Sequence, residues 1–150
     1  CALPISRMIA KKGSPLLPTA ASLRGKRVGV QQGTMQESYA KAYWATQGVN
    51  VVPYPNQEIL YQDMMSGRLD ASLQDALMVD AGFLKSPKGK NFGFAGGNVV
   101  DAKTLGVGAA IGLRKEDVDL KNDINKALAQ IIADGTYKKL EKKYFPFSIY

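Results

Sequence analysis

Two short stretches of this 150-residue sequence carry side chains whose types and spacing could do chemistry. The first is Val28-Gly29-Val30-Gln31-Gln32-Gly33-Thr34-Met35-Gln36-Glu37. An apolar run ends at Gln31, Gly33 permits a tight turn, and Thr34 followed three residues later by Glu37 makes the T-x-x-E pattern that opens a helix. The first N–H groups of a helix have no intrahelical acceptor, and its dipole favours negative charge, so this turn suits a carboxylate or a phosphate. The plainer reading is that Thr34 caps its helix and does nothing more. No lysine precedes the threonine and the glycines are too sparse for a nucleotide-phosphate loop. The second stretch is Gly67-Arg68-Leu69-Asp70-Ala71-Ser72-Leu73-Gln74-Asp75. Asp75 follows an alternating run and either holds a ligand's ammonium group or caps a helix starting at Ala76. An anion-binding helix start beside an acid at a neighbouring strand end complements a zwitterion.

Other chemistry is removed by composition. The chain has no histidine and a single cysteine, Cys1. An internal disulfide, a zinc cluster and any histidine-based triad or general base are therefore excluded, and no cofactor or metal is expected. Cys1 is read as a chain edge rather than a lipidation site. Apolar residues make up 45% and charged residues 22%, the balance of a packed domain with a solvated surface. No apolar run approaches membrane-spanning length, and Cys1–Ser6 lacks the features of a secretory signal. The net charge of +7 is dispersed; only Lys138, Lys139, Lys142 and Lys143 form a dense stripe. Tyr137, Leu140 and Tyr144 share that segment at helical spacing, so the lysines are read as the wet face of a packed helix and no nucleic-acid partner is expected. Tyr39, Trp44, Tyr54, Tyr61, Met64 and Met65 are read as core rather than as a stacking set for a cofactor.

The elements that must position the two stretches follow from periodicity and breakers. Strands are expected at Arg7–Lys11, Arg27–Gln31, Val51–Tyr54 and Leu69–Leu73, with a further candidate at Gly106–Arg114. Helices are expected at Met35–Gln47, from Gln57 to the methionines before Gly67, and at Ala76–Leu84. Residues Ser86–Gly97, with Pro87 and four glycines, read as loop with at most short strands. Leu120, Ile124, Ala127, Leu128 and Ile131 give the clearest helical spacing, closed by Gly135, and a second helix spans Thr136–Tyr144. Strands alternating with helices predict an α/β architecture with a mainly parallel sheet flanked by helices.

Several segments, in one order, resemble the extracellular solute-binding proteins for polar amino acids, most closely the lysine/arginine/ornithine- and histidine-binding type. They are Ser6-Arg7-Met8-Ile9-Ala10-Lys11-Lys12-Gly13-Ser14-Pro15, Leu23-Arg24-Gly25-Lys26-Arg27-Val28-Gly29-Val30-Gln31-Gln32-Gly33-Thr34 and Gly67 through Asp75. Gly112-Leu113-Arg114-Lys115, Asp134-Gly135-Thr136-Tyr137-Lys138-Lys139 and Lys143-Tyr144-Phe145 complete them. The resemblance implies a periplasmic binding protein type II-like fold in which two lobes close over an amino acid. Residues 1–5 stand as an edge unlike the family, 6–112 as the second lobe with hinge strands, and 113–150 as a helical tail that normally packs on a first lobe largely missing here. It also implies that Thr34, Met35 and Gln36 form the helix start that receives the ligand, that Asp75 binds the α-ammonium group, and that Gln31 lies beside the ligand side chain. The family commonly has a hydroxyl residue where Met35 stands, which leaves the backbone N–H as that position's donor. Gln31 is similar to what some arginine-preferring members carry, so arginine is the first ligand expected, with lysine, ornithine and histidine next. The implied role is the periplasmic, non-enzymatic ligand-capturing subunit of an ABC importer, with a membrane permease as partner. Cyclohexadienyl dehydratases share the architecture and would need a general acid, for which Glu37 and Asp75 are the candidates. A third expectation is that half a cleft has no ligand function alone, unless self-association through the tail helices supplies the missing surface.

Overall fold

The computed structural model describes residues 6–106 and 111–144, which belong to two compact units: a sheet unit, 6–106, and a helical tail, 111–144. In the sheet unit, strands β1 (Ser6–Lys11), β2 (Arg27–Gln31), β3 (Asn50–Tyr54), β4 (Ala71–Asp75) and β5 (Phe92–Val99) lie in the order β3-β2-β4-β1-β5. β2 is parallel to β3 and β4, whereas β1 is antiparallel to β4 and β5. The sheet is thus mixed, with four of its strands running one way and β1 returning between two of them. The carboxyl ends of those four and the beginning of β1 share one edge.

The strands are apolar on both faces, as a sheet covered on two sides requires. On one face Met8, Ala10, Val28, Val30, Ala71 and Leu73 pack with Leu23, Ala40 and Trp44; on the other, Ile9 packs with Leu60, Met64, Val79 and Phe83. The covering helices are α1 (Ala20–Leu23), α2 (Met35–Tyr39), α3 (Gln57–Met65) and α4 (Ala76–Val79). α2 continues through a π-helical turn, Ala40–Trp44, and a 3-10 turn, Ala45–Gln47, to Gly48 at φ 88°; α4 continues through a π-helical turn, Asp80–Leu84. The expected spans Met35–Gln47 and Ala76–Leu84 therefore have the right ends but not a uniform α interior. Of the aromatic and methionine side chains expected in the core, Trp44, Tyr54 and Met64 are buried, Tyr39 and Tyr61 are half-buried, and Met65 is exposed.

Three expectations need correction. The strand placed at Leu69–Leu73 begins at Ala71 and runs on through Gln74 to Asp75. Asp70 instead clasps β2, its Oδ2 accepting the Arg27 N–H at 2.8 Å. Ser86–Gly97 contains a 3-10 turn, Pro87–Gly89, and most of the eight-residue strand β5. Met8 is opposite Ala95 while Arg7 is opposite Asn98, so Gly96 and Gly97 form a bulge, with Gly96 at φ 71°. Glycines on an edge strand marked that bulge rather than a loop. Finally, α1 lies between the expected strands Arg7–Lys11 and Arg27–Gln31, where no helix is expected; four residues are too few to show a period, and Leu23 is its one buried side chain. The strand candidate Gly106–Arg114 falls partly on 107–110, outside the described residues, and Ile111–Arg114 are in no strand.

The tail comprises α5 (Val118–Ala133) and α6 (Thr136–Tyr144), separated by Gly135 at φ 79°. Asp134 opens α6, its Oδ1 accepting the Thr136 N–H at 2.8 Å. Among the described residues no helix is long and apolar enough to cross a membrane.

Candidate functional site

The chain leaves β2 after Gln31 and leaves β4 at Asp75, and these neighbouring parallel strands are in register at Val28–Ala71 and Gly29–Ser72. Carried forward, that register brings Gln31 level with Gln74. β1 enters the same edge with Ser6 directly opposite Asp75. The topology therefore gathers both candidate stretches at the carboxyl edge of the sheet, where open α/β folds place ligands.

At the first stretch, Thr34 is the N-cap of α2, its Oγ1 accepting the Glu37 N–H at 3.2 Å and donating to the Gln31 carbonyl at 2.6 Å. Glu37 reaches back one residue further than a usual capping box, accepting the Gly33 N–H at 2.6 Å. Those bonds satisfy Gly33 and Glu37, and among the described residues no acceptor meets the N–H groups of Thr34, Met35 and Gln36. Met35 turns its side chain to solvent at 46% exposure. Gln36 does the reverse: it is buried, and its Nε2 donates to Ser6 Oγ at 3.0 Å. Its amide nitrogen is thus engaged beneath the edge, and its backbone N–H remains available there. Gln31 is half-buried, and its side-chain amide has no hydrogen-bond partner among the described residues.

At the second stretch, Asp75 Oδ1 accepts the N–H groups of Leu77 at 2.9 Å and Met78 at 3.0 Å, capping α4. Among the described residues Oδ2 has no partner. The two readings of Asp75 are therefore compatible, since one oxygen caps and the other remains to meet a cation. Free N–H groups at one position and a free carboxylate oxygen at the other can hold the two ends of a zwitterion.

Glu37, a candidate general acid, is committed elsewhere. The Lys41 ammonium at 2.7 Å, and after it the Gly33 N–H, hold its carboxyl below the usual range, so it carries no proton to give near neutrality. Among the described residues no cluster of histidine, cysteine, aspartate or glutamate is able to hold a metal ion.

Sequence reasoning missed the polar residues beneath the edge. Ser6, Ser72 and Gln74 are all buried, and Gln74 bonds to Gln57 and Ser72. A signal existed: Ser72 and Gln74, two apart on a strand, must share a face. In a sheet covered on both sides, that face is a core.

The fold and its edge define a class, an α/β lobe of solute-binding architecture. Residues 5–147 match the bacterial extracellular solute-binding proteins, family 3, and the chain belongs to that family. It is 54% identical over 145 residues to the lysine/arginine/ornithine-binding periplasmic protein of Escherichia coli strain K12, covering 97% of this chain and 56% of that protein. It is 50% identical, with the same coverage, to the histidine-binding periplasmic protein of Salmonella typhimurium strain LT2. Among solved structures it is similar to an ancestral arginine-binding protein bound to arginine, with a TM-score of 0.68 and 31% identity over 94% of this chain and 60% of that one. The chain thus spans little more than half the length of the curated relatives it matches.

Proposed function

We propose that this chain is the second lobe and tail of a periplasmic receptor that captures basic or polar amino acids for the membrane permease of an ABC importer. Arginine is the first ligand, followed by lysine, ornithine and histidine. The observation that carries the reading is the meeting, at one sheet edge, of a helix start with unoccupied N–H groups and an acid with one unoccupied oxygen. In this reading the N–H groups of Thr34, Met35 and Gln36 receive the α-carboxylate, Asp75 Oδ2 receives the α-ammonium group, and Gln31 lies beside the side chain. Gln36 contributes through its backbone N–H, while its side-chain Nε2 is engaged by Ser6. The names of the relatives support the ligand class and the compartment. The engaged state of Glu37 weighs against an acid catalyst.

A ligand held at this edge alone keeps one side in water and lacks the polar partners of an opposing wall, so the isolated chain should bind weakly. The exposed apolar side chains of the tail, including Val118, Leu120 and Leu140, support self-association of the chain as a secondary property.

The test is a calorimetric titration of L-arginine into the chain with its upstream sequence restored. Saturable heat without product formation is expected. Asp75→Asn, which keeps an oxygen for the α4 cap, should lower affinity by about 30-fold, on the order of 2 kcal/mol, with thermal stability little changed. A folded protein that gives no heat with arginine, lysine, ornithine or histidine would sink the proposal.

A further inference from the structure

Beneath the strand end that carries Asp75, four side chains form a single file of hydrogen bonds. Tyr61 Oη donates to Gln57 Oε1 at 3.1 Å, and Gln57 Nε2 donates to Gln74 Oε1 at 3.3 Å. Gln74 Nε2 then donates to Ser72 Oγ at 2.7 Å, and Ser72 Oγ donates to the Gly29 carbonyl at 2.8 Å. Every donor points the same way, from α3 across β4 and into β2. Burial pushes the Tyr61 phenol up to about 12, so the outermost donor keeps its proton throughout the ordinary pH range. Ser72 is fully buried and Gln74 is 2% exposed.

Such a file is an expensive way to fill a core. A buried amide is costly to leave unpaired, and an apolar side chain of the same length would avoid the risk, whereas a satisfied polar relay rigidifies what it touches. What it touches is the residue before Asp75. Successive side chains on a strand point to opposite faces, so clamping Gln74 on the α3 side fixes the twist at which Asp75 leaves the other. The backbone ladder clamps the same two residues from the side, with Arg7 opposite Gln74 and Ser6 opposite Asp75. The carboxylate has little tolerance for rotation, because Oδ1 must reach two N–H groups of α4 while Oδ2 stays free.

We propose that Gln74 is a positioning residue that acts through Asp75, setting how strictly the site demands a ligand's α-ammonium group. The proposal rests on the amino-acid reading given above, and it has a readout that needs no ligand. In the chain with its upstream sequence restored, Gln74→Met keeps the length of the side chain and removes the amide. Amide hydrogen exchange at Leu77 and Met78 should rise by about tenfold, with Glu37 and Thr104, capped by Thr34 and Asp101, as unchanged references. Tyr61→Phe, which removes only the outermost hydroxyl, should move the same two amides in the same direction by roughly threefold and serves if Gln74→Met fails to fold.

The second readout is the ratio of affinities for L-arginine and for guanidinopentanoate, which is arginine without its α-amino group. Gln74→Met should shrink that ratio by about tenfold. Equal losses for both ligands, or exchange that is unchanged or accelerated alike at all four amides, would overturn the positioning role. Failure of the unsubstituted protein to bind arginine would strike the amino-acid reading instead, and the exchange result would still decide about Gln74.

Discussion

In the sheet unit Trp44, Leu60 and Phe83 are no more than 2% exposed. In α5, the side chains with the clearest helical spacing, Ile124, Leu128 and Ile131, are only half-buried, Leu120 is 48% exposed, and among the described residues α5 buries none. Both regions follow the same rule of apolar periodicity, with opposite outcomes. An amphipathic stripe states that a helix needs a partner without stating which partner. The sheet supplies one to each of its covering helices from either face, whereas α5 packs with α6, itself largely polar. Most helical stability in proteins comes from the packing of such a face, so the two regions should differ in how much they lose when one apolar side chain is removed.

The largest effect is expected at Trp44, which is buried against Tyr39 with ring centroids 5.5 Å apart and planes at 83°. Trp44→Ala should destabilise the chain by about 3–5 kcal/mol, a large part of the stability of a domain this size. Leu128→Ala in α5 should cost less than about 1 kcal/mol. Urea denaturation of both variants measures the contrast, and similar losses would break it.

What could be read from the sequence divides along the same line. Periodicity located most elements, because Val28, Val30, Leu60 and Met64 sit where their spacing sends them. It misplaced β4 because Gln74 looks like the end of an apolar run and is in fact inside the core, satisfied by Gln57 and Ser72. It read Ser86–Gly97, which holds most of β5, as loop with at most short strands, because Gly96 and Gly97 are a bulge whose meaning comes from pairing with β1, a partner more than 80 residues away in the chain. At the site, Thr34, Glu37 and Asp75 were legible because caps are local chemistry. The buried contact of Gln36 with Ser6 was not, because it depends on strand order. The expectation of arginine as first ligand drew on resemblance, since no local rule distinguishes one side chain from another at Gln31.

A smaller effect concerns what covers the α5 stripe. If a second copy does so, the mass from light scattering should rise with concentration, and Leu120→Glu should suppress the rise without altering the secondary structure of the sheet unit. A constant monomer mass over a wide range of concentration would leave the contrast between the regions intact and remove self-association from it.

The smallest effect separates the two regions by acid. In the sheet unit, Arg68, with Nε 2.8 Å away, and then Tyr54, whose hydroxyl donates at 2.7 Å, hold the Asp63 carboxyl below its ordinary 3.8. In the tail, Asp134 is also lowered, by the Thr136 hydroxyl and N–H, but those bonds join residues two apart and support only the start of α6. A carboxyl whose folded value is depressed adds stability that is fully present above its unfolded value and is lost as the pH falls through the folded one. The contribution of Asp63 is therefore fully present above the ordinary carboxyl value and is lost as the pH falls through its lowered folded value, and because it ties α3 to the end of β3 its loss is felt by the whole sheet unit. Melting temperatures measured from about pH 5 down to about pH 2 should fall less steeply in Asp63→Asn than in the unsubstituted chain, whereas Asp134→Asn should leave the slope nearly unchanged. Parallel slopes for Asp63→Asn and the unsubstituted chain would mean that this carboxylate contributes no more to the sheet than Asp134 does to the tail, and the electrostatic side of the comparison would be lost while the packing side stood.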